Sequence, residues 1–244
     1  MKLSRLLALA APVSVLAVSA QAGGYTSPVV EAVAPVVETV APVGDWQGGY
    51  AGITLGYGFK GEDRVGLGPA TSTPGADNSV TNIDKLDLGG VNAGLRVGYR
   101  WQNNNWVFGP ELAFEGGNVK DSFNTDGYEA SSKVKNVLSL RAKVGYAVQP
   151  DLLVYGMAGA ARGKIDYKVE GTGVAGTAAI DDTYTRTGYV VGLGVEKKIS
   201  DRMSVTGEYE YLNFGKETLE GPAGVVTEAT AKYNNIKLGL NFKF

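Results

Sequence analysis

The chain has 244 residues, with 35 Gly against 9 Pro, no Cys, no His and a formal charge of −2. Without Cys there is no disulfide scaffold or thiol chemistry, and near-neutral charge with no basic run gives no reason to expect nucleic acid. Without His the commonest general base and metal ligand are missing, and so is every Ser-His-Asp or Cys-His arrangement.

Residues 1–22 read as a secretory signal peptide. Lys2 and Arg5 form the positive start, Leu6 to Val18 the apolar core, and small residues allow cleavage after Ala20 or Ala22. The apolar run falls short of the ~20 residues that a spanning helix needs. No later segment is long and apolar enough to span as a helix, so membrane insertion requires strands. Residues 23–45 form a periplasmic linker with a near-repeat starting at Pro28, Pro35 and Pro42. A Pro in every repeat opposes a coiled coil and favours an extended spacer.

Residues 46–244 carry one period-two pattern after another, which puts alternate side chains on opposite faces of a strand. The first strand sets Ala51, Ile53, Leu55, Tyr57 and Phe59 against Gly52, Thr54, Gly56, Gly58 and Lys60. The second sets Val91, Leu95, Val97, Tyr99 and Trp101 against Asn92, Arg96 and Arg100. The third has Trp106, Phe108, Pro110, Leu112 and Phe114 opposite Glu111 and Glu115, and the fourth has Leu138, Leu140, Val144 and Tyr146 opposite Arg141 and Lys143. In the fifth, Leu153, Tyr155, Met157, Ala161 and Ile165 are expected on the apolar face, opposite Arg162 and Lys164. The sixth has Tyr189, Val191, Leu193 and Val195 opposite Arg186 and Glu196, and the seventh has Met203, Val205, Tyr209 and Tyr211 opposite Glu208 and Glu210. The eighth runs Ile236, Leu238, Leu240, Phe242, Phe244, with Lys237 on the other face.

Short turns at Gln102–Asn105, Gln149–Asp151 and Ile199–Asp201 alternate with long polar stretches at Gly61–Leu86, Gly117–Lys133, Val169–Asp182 and Gly215–Glu228, expected to be mobile loops. The fold class is therefore all-β: an eight-stranded antiparallel up-and-down transmembrane β-barrel with its long loops outside. A soluble lipocalin-like barrel would show the same alternation turned inside out. Against that, the charged face is rich in Gly and small residues, which make room for long side chains inside a narrow barrel. Aromatics also form two belts on the apolar face. Trp101, Trp106, Phe108, Tyr146, Tyr155, Phe242 and Phe244 lie near the short turns. Tyr57, Phe59, Tyr167, Tyr184, Tyr209, Tyr211 and Tyr233 lie near the loops.

The Gly48-Gly-Tyr-Ala-Gly start, the stretch Gly98–Gly117 across the first short turn and the terminal Phe244 resemble the small outer-membrane β-barrel family. This is the opacity-like "porin family" group of alphaproteobacterial surface proteins, distantly similar to the OmpA transmembrane domain. The resemblance implies a cell outer membrane location, with outer-membrane lipid and lipopolysaccharide, the insertion machinery and periplasmic chaperones as partners, and a monomer. It also implies that Phe244, Phe242 and Leu240 form the assembly signal. The sequence leaves no room after the barrel for a peptidoglycan-binding domain, so cell-wall anchoring is not expected.

Inside the barrel the pattern predicts a network of Arg96, Arg100, Arg141, Lys143, Arg162, Lys164, Arg186 and Lys237 with Glu111, Glu115, Glu196, Glu208 and Glu210. An eight-strand interior is just wide enough for side chains, so pairing into a plug is expected over a conduction path. Gly171-Thr-Gly-Val-Ala-Gly176 matches a dinucleotide fingerprint but has no following helix to receive a phosphate. Ser122 to Lys133 fails as a calcium loop because Lys stands where a bidentate Glu is needed. No catalytic, cofactor or metal residues are assigned, and an enzyme is not expected. The expected function is structural and surface-interactive, with a narrow channel for small solutes as the alternative.

Overall fold

The computed structural model describes residues 44–69, 81–125, 127–173, 176–220 and 225–244. The expected signal peptide and nearly all of the expected linker lie outside these. The described residues form eleven strands: β1 (Gly48–Pro69), β2 (Thr81–Leu86), β3 (Gly90–Asn103), β4 (Trp106–Thr125), β5 (Tyr128–Gln149), β6 (Leu152–Gly173), β7 (Gly176–Lys198), β8 (Met203–Asn213), β9 (Glu217–Glu220), β10 (Val225–Ala229) and β11 (Lys232–Lys243). Eight of them form a ring of antiparallel neighbours in the order β1-β3-β4-β5-β6-β7-β8-β11. Pairing of β11 with β1, from Tyr50 opposite Lys243 to Tyr57 opposite Ile236, closes the ring and leaves no free edge.

Through the lower part of the ring the alternation has the expected phase in seven of the eight strands. Ile53, Leu95, Leu112, Leu140, Leu193, Val205 and Leu238 all point outward and are exposed, which leaves a continuous apolar belt around the cylinder. A belt of this size is unsustainable in water and suits a hydrocarbon surround.

β6 is the exception and corrects the expected face. Leu153, Tyr155, Met157, Ala161 and Ile165 are buried inside, while Val154, Ala158, Ala160, Arg162 and Lys164 point out. Both rows of this strand hold small or apolar residues, so hydropathy alone does not choose between them. Packing does. Gly194 on β7 lets the Tyr155 ring lie flat on the wall, since a Cβ there would sit 2.4 Å from it, and Gly163 admits the Phe214 ring in the same way at 2.7 Å.

The described residues of the long connections are largely paired strand rather than the mobile loops expected. β4 and β5 stay paired up to Thr125 opposite Tyr128, and β6 and β7 up to Gly173 opposite Gly176. The other two connections contribute β2 against β1 and a β9–β10 hairpin whose second strand also pairs with β1. The cylinder thus continues well beyond the apolar belt. Its upper interior is a second, dry core that includes Leu86, Leu88, Tyr128, Ile165, Tyr167, Ile180, Tyr184, Phe214 and Tyr233. Tyr167, Tyr184 and Tyr233, expected in the outer aromatic belt, therefore lie inside, whereas Tyr57, Tyr189 and Tyr209 do face outward.

Two bulges permit this change of interior. Around Lys60 the register of β1 shifts, and Gly61 and Asp63 turn inward in place of the even-numbered row below. In β5 the shift between Val134 and Asn136 moves the inward row from Ser139 and Val137 to Val134, Ser132, Ala130 and Tyr128. Without it, Lys133 and Glu129 would point into the core. A bulge inserts one residue and so reverses which side chains face in.

Candidate functional site: the barrel lumen

The inward row at the level of the apolar belt is polar. It brings five cations, Arg96, Arg100, Arg141, Lys143 and Lys237, against five carboxylates, Glu111, Glu115, Glu196, Glu208 and Glu210. All ten are buried, and they form linked clusters stacked along the axis.

At the short-turn end Arg100 makes a two-point contact with Glu196 (3.1 and 2.7 Å), and its guanidinium lies 3.9 Å from the centre of the Tyr50 ring. Glu196 also accepts from Ser204 and from Asn241 Nδ2 (3.1 Å). In the middle, Arg96 donates to Glu208 (2.7 Å), Asn241 (2.8 Å) and Thr206 (2.6 Å). Lys143 sits between Glu111 (2.7 Å) and Glu208 (2.9 Å), and these two carboxylates accept in turn from the hydroxyls of Tyr50 (2.7 Å) and Tyr155 (2.6 Å). Above them Arg141 pairs with Glu210 and with Glu115 (2.7 Å), and Lys237 bridges the same two acids at 2.7 and 2.6 Å. Asn92 and Asn235 bond across the next layer at 3.0 Å.

Burying ten charges in a low-dielectric wall is tolerable only when each is paired and hydrogen-bonded. Equal numbers of each sign and multiple contacts per group meet that condition. The cavities found along this stack near Tyr50 and Arg100 measure only about 20 and 10 Å³, about a single water each at most. The larger concavity near Ile53, Leu95 and Phe242 is on the outer apolar surface and takes no part in the network.

The short-turn mouth is covered by the segment before β1. The Trp46 side chain is buried, with Lys198 Nζ 4.4 Å from the centre of its ring. Its backbone N–H donates to Gln102 (2.7 Å), and Lys198 and Lys243 both donate to the Asp45 carbonyl (2.7 and 3.1 Å).

Of the thirteen charged residues expected in the lumen, ten are there. Arg162 and Lys164 are not, because β6 has the opposite phase, and both are exposed on the outer face. Arg186 stands at the rim, partly exposed, and pairs with Glu217 rather than with the network. Sequence reasoning puts Asn92, Ser204 and Thr206 on the charged face but leaves every neutral member out of the network: Tyr50, Tyr155, Asn92, Ser204, Thr206, Asn235 and Asn241. Their shared parity with the charges on each strand was the available signal for all but Tyr155. Leu240 and Phe242 lie at the end of the closing strand and Phe244 directly follows it, with Phe242 and Phe244 exposed.

One further buried charge lies above the belt. Asp63 is fully buried at the floor of the upper core, accepting from Ser132 Oγ (2.8 Å) and the Thr230 N–H (2.6 Å). Burial pushes its carboxyl up to about 6, although both hydrogen bonds pull the other way.

A family model described as the outer membrane protein beta-barrel domain matches residues 6–244. The 31 kDa outer-membrane immunogenic protein of Brucella melitensis biotype 1 is 33% identical over 205 residues, covering 82% of this chain and 84% of that protein. The 22 kDa outer membrane protein of Rhizobium leguminosarum bv. viciae is 31% identical over 150 residues, covering 61% of this chain and 64% of its own. Among solved structures, the outer membrane protein OprG from Pseudomonas aeruginosa shares the barrel fold with a TM-score of 0.53, at 12% identity over 83% of this chain and 99% of that one. These relatives are described as outer-membrane proteins and not as enzymes. With the closed ring and the apolar belt, the match shows that the chain belongs to the outer membrane protein β-barrel domain family and resides in the outer membrane.

Proposed function

We propose that this protein is a structural and surface-interacting component of the outer membrane: a monomeric, side-chain-filled barrel that carries stiff β-hairpins outward and conducts no solute. The observation that carries this reading is the lumen, where five cations and five carboxylates bond across the full width of the ring. A channel needs a continuous wet path, and these contacts occupy it. The hairpins supply the other half of the function, since they hold an exposed polar surface on a rigid stem beyond the lipid.

Assembly fits the same reading. The closing strand β11 presents Leu240 and Phe242 in its outer row beside the strand it must find, β1, and Phe244 follows directly, its N–H donating to the Gly49 carbonyl at 3.0 Å. We assign these residues as the signal read by the insertion machinery after delivery by periplasmic chaperones. Removing Phe244 should lower the amount inserted in cells while leaving the stability of the refolded barrel nearly unchanged. Wild-type insertion of that variant would contradict the assignment.

Liposome swelling with small sugars tests the filled lumen. Vesicles carrying the pure barrel should swell no faster than protein-free vesicles. Rapid swelling that falls with sugar size would instead establish a channel.

A further inference from the structure

The segment Gly44–Gln47 crosses the short-turn mouth without joining the sheet. β1 begins at Gly48, and residues 44–47 make no backbone-to-backbone hydrogen bond among the described residues. Long side chains hold the segment instead. Gln102 of β3 accepts from the Trp46 N–H (2.7 Å) and donates to the Gly44 carbonyl (3.0 Å). Lys198 of β7 and Lys243 of β11 reach the Asp45 carbonyl, and Lys243 also pairs with the Asp45 carboxylate at 2.7 Å. A side chain at Gly44 would strike the carbonyl oxygen of Pro150, in the turn between β5 and β6. β6 stands directly across the ring from β1, so the segment spans the mouth from one wall to the other.

Trp46 is the seal. Its ring packs in one buried cluster with Val107 of β4, Ala147 of β5 and Leu153 of β6. The Lys198 ammonium lies 4.4 Å and the Arg100 guanidinium 5.9 Å from its centre, close enough for both to be drawn to its face. Beneath it is a cavity of about 20 Å³ that it shares with Tyr50, Arg100, Glu196 and Ser204. The indole Nε1 is buried but has no hydrogen-bond acceptor among the described residues. An unanswered buried donor offsets part of what the ring gains by leaving water. Where segment and strand join, Gly48 adopts φ 130°, a conformation open to glycine and strained for other residues.

We propose that Asp45 and Trp46 form a lid that lifts: it swings about Gly48 and opens the Arg100–Glu196 layer to the periplasm while the ladder of β1 stays intact. Lifting breaks side-chain contacts only and leaves every strand pairing in place. The ion pair that fastens the lid is weak, because the Asp45 side chain is mostly exposed and water screens it. The hinge is a residue whose backbone rotates freely, and the seated ring keeps one donor unanswered. Seated, the lid shuts the lowest charged layer off from water; lifted, it lets small periplasmic solutes reach Arg100, Glu196 and Ser204. A lumen that conducts nothing is compatible with a fixed cover as well as a lifting one, so the lid stands or falls separately from the filled lumen.

The chain has no Cys, so a single introduced thiol reports on one layer at a time. The test uses the full chain refolded in lipid vesicles, with Ser204→Cys under the lid or Asn235→Cys in the Asn92 layer above, and a membrane-impermeant methanethiosulfonate as probe. Heat-modifiable gel migration confirms folding of each variant. With the lid intact, the Ser204→Cys thiol should react far faster than the barrel unfolds in the same vesicles. Adding Trp46→Ala should raise that rate about tenfold or more, because opening no longer requires the ring to leave its seat. The Asn235→Cys thiol should not respond to Trp46→Ala. Modification no faster than unfolding, an unchanged rate with Trp46→Ala, or equal acceleration at both thiols would each overturn the proposal. If Trp46→Ala does not fold, Asp45→Ala should still raise the Ser204→Cys rate about threefold by freeing Lys243, and no change there would overturn the proposal equally.

Discussion

Arg141 and Arg162 look alike in the sequence, each one step in an alternating strand, yet they occupy opposite environments. Arg141 holds Glu115 and Glu210 together in the lumen, and Arg162 stands exposed on the outer wall. Removing Arg141 would leave two carboxylates sharing Lys237 as their remaining cation. Arg141→Ala should therefore cost about 3–5 kcal/mol of barrel stability, while Arg162→Ala should cost far less. Urea unfolding in lipid vesicles measures both. Similar losses would mean that Arg162 is luminal after all. Asp63 gives a second test at this scale. Its carboxyl is raised from 3.8 to about 6 by burial, so the folded state favours the protonated form. Its contribution is fully present below about pH 4, is lost as pH rises through about 6, and amounts to at most about 3 kcal/mol. Amide exchange at Thr230, corrected for its intrinsic rate, should show better protection at pH 5 than at pH 7.5. Asp63→Asn should remove that difference, and an unchanged difference would assign it to another group. Ten luminal charges were legible because alternation is strict where one face is apolar. β6 was not, since Ala158 and Ala160 on its outer row carry no more hydropathy than Met157 and Ala161 on its inner one.

Among the elements, the bulges decide most. Lys60 adopts φ 46°, a left-handed conformation that a residue with a side chain takes only at a cost, and beyond it Gly61 and Asp63 turn inward. Lys60→Gly should be tolerated or slightly stabilising. Lys60→Val should cost about 1–3 kcal/mol, because a β-branched residue resists that conformation most. The loss should be confined to the hairpin end and appear as faster exchange at Thr230 with unchanged exchange in β8. Uniform loss across the barrel would show that the bulge supports more than the upper cylinder. Beyond these bulges the sequence alternation no longer reveals the strands. Lys135 and Asn136 interrupt the alternation of β5, and an interrupted alternation reads as a strand end. The paired hairpins beyond it, held by Tyr128, Tyr167 and Phe214 in a dry interior, therefore read as loops in the sequence.

For the whole molecule, one ring of strands carries two interiors, a charged one at lipid level and an apolar one beyond it. The closed ring was readable from eight amphipathic segments, because each needs a partner on both edges and only closure supplies the last. The upper core was not, because its residues come from stretches rich in Ser, Thr, Asp and Gly whose few apolar members meet only in three dimensions. On the proposed reading, a filled lumen at lipid level and a packed core above it make the molecule a plug-and-post rather than a pore. Single-channel recording of the pure, folded barrel in planar bilayers tests this most directly. A filled lumen should give no steady conductance above the bare bilayer at moderate voltage; long-lived, uniform openings from wild-type protein would contradict it.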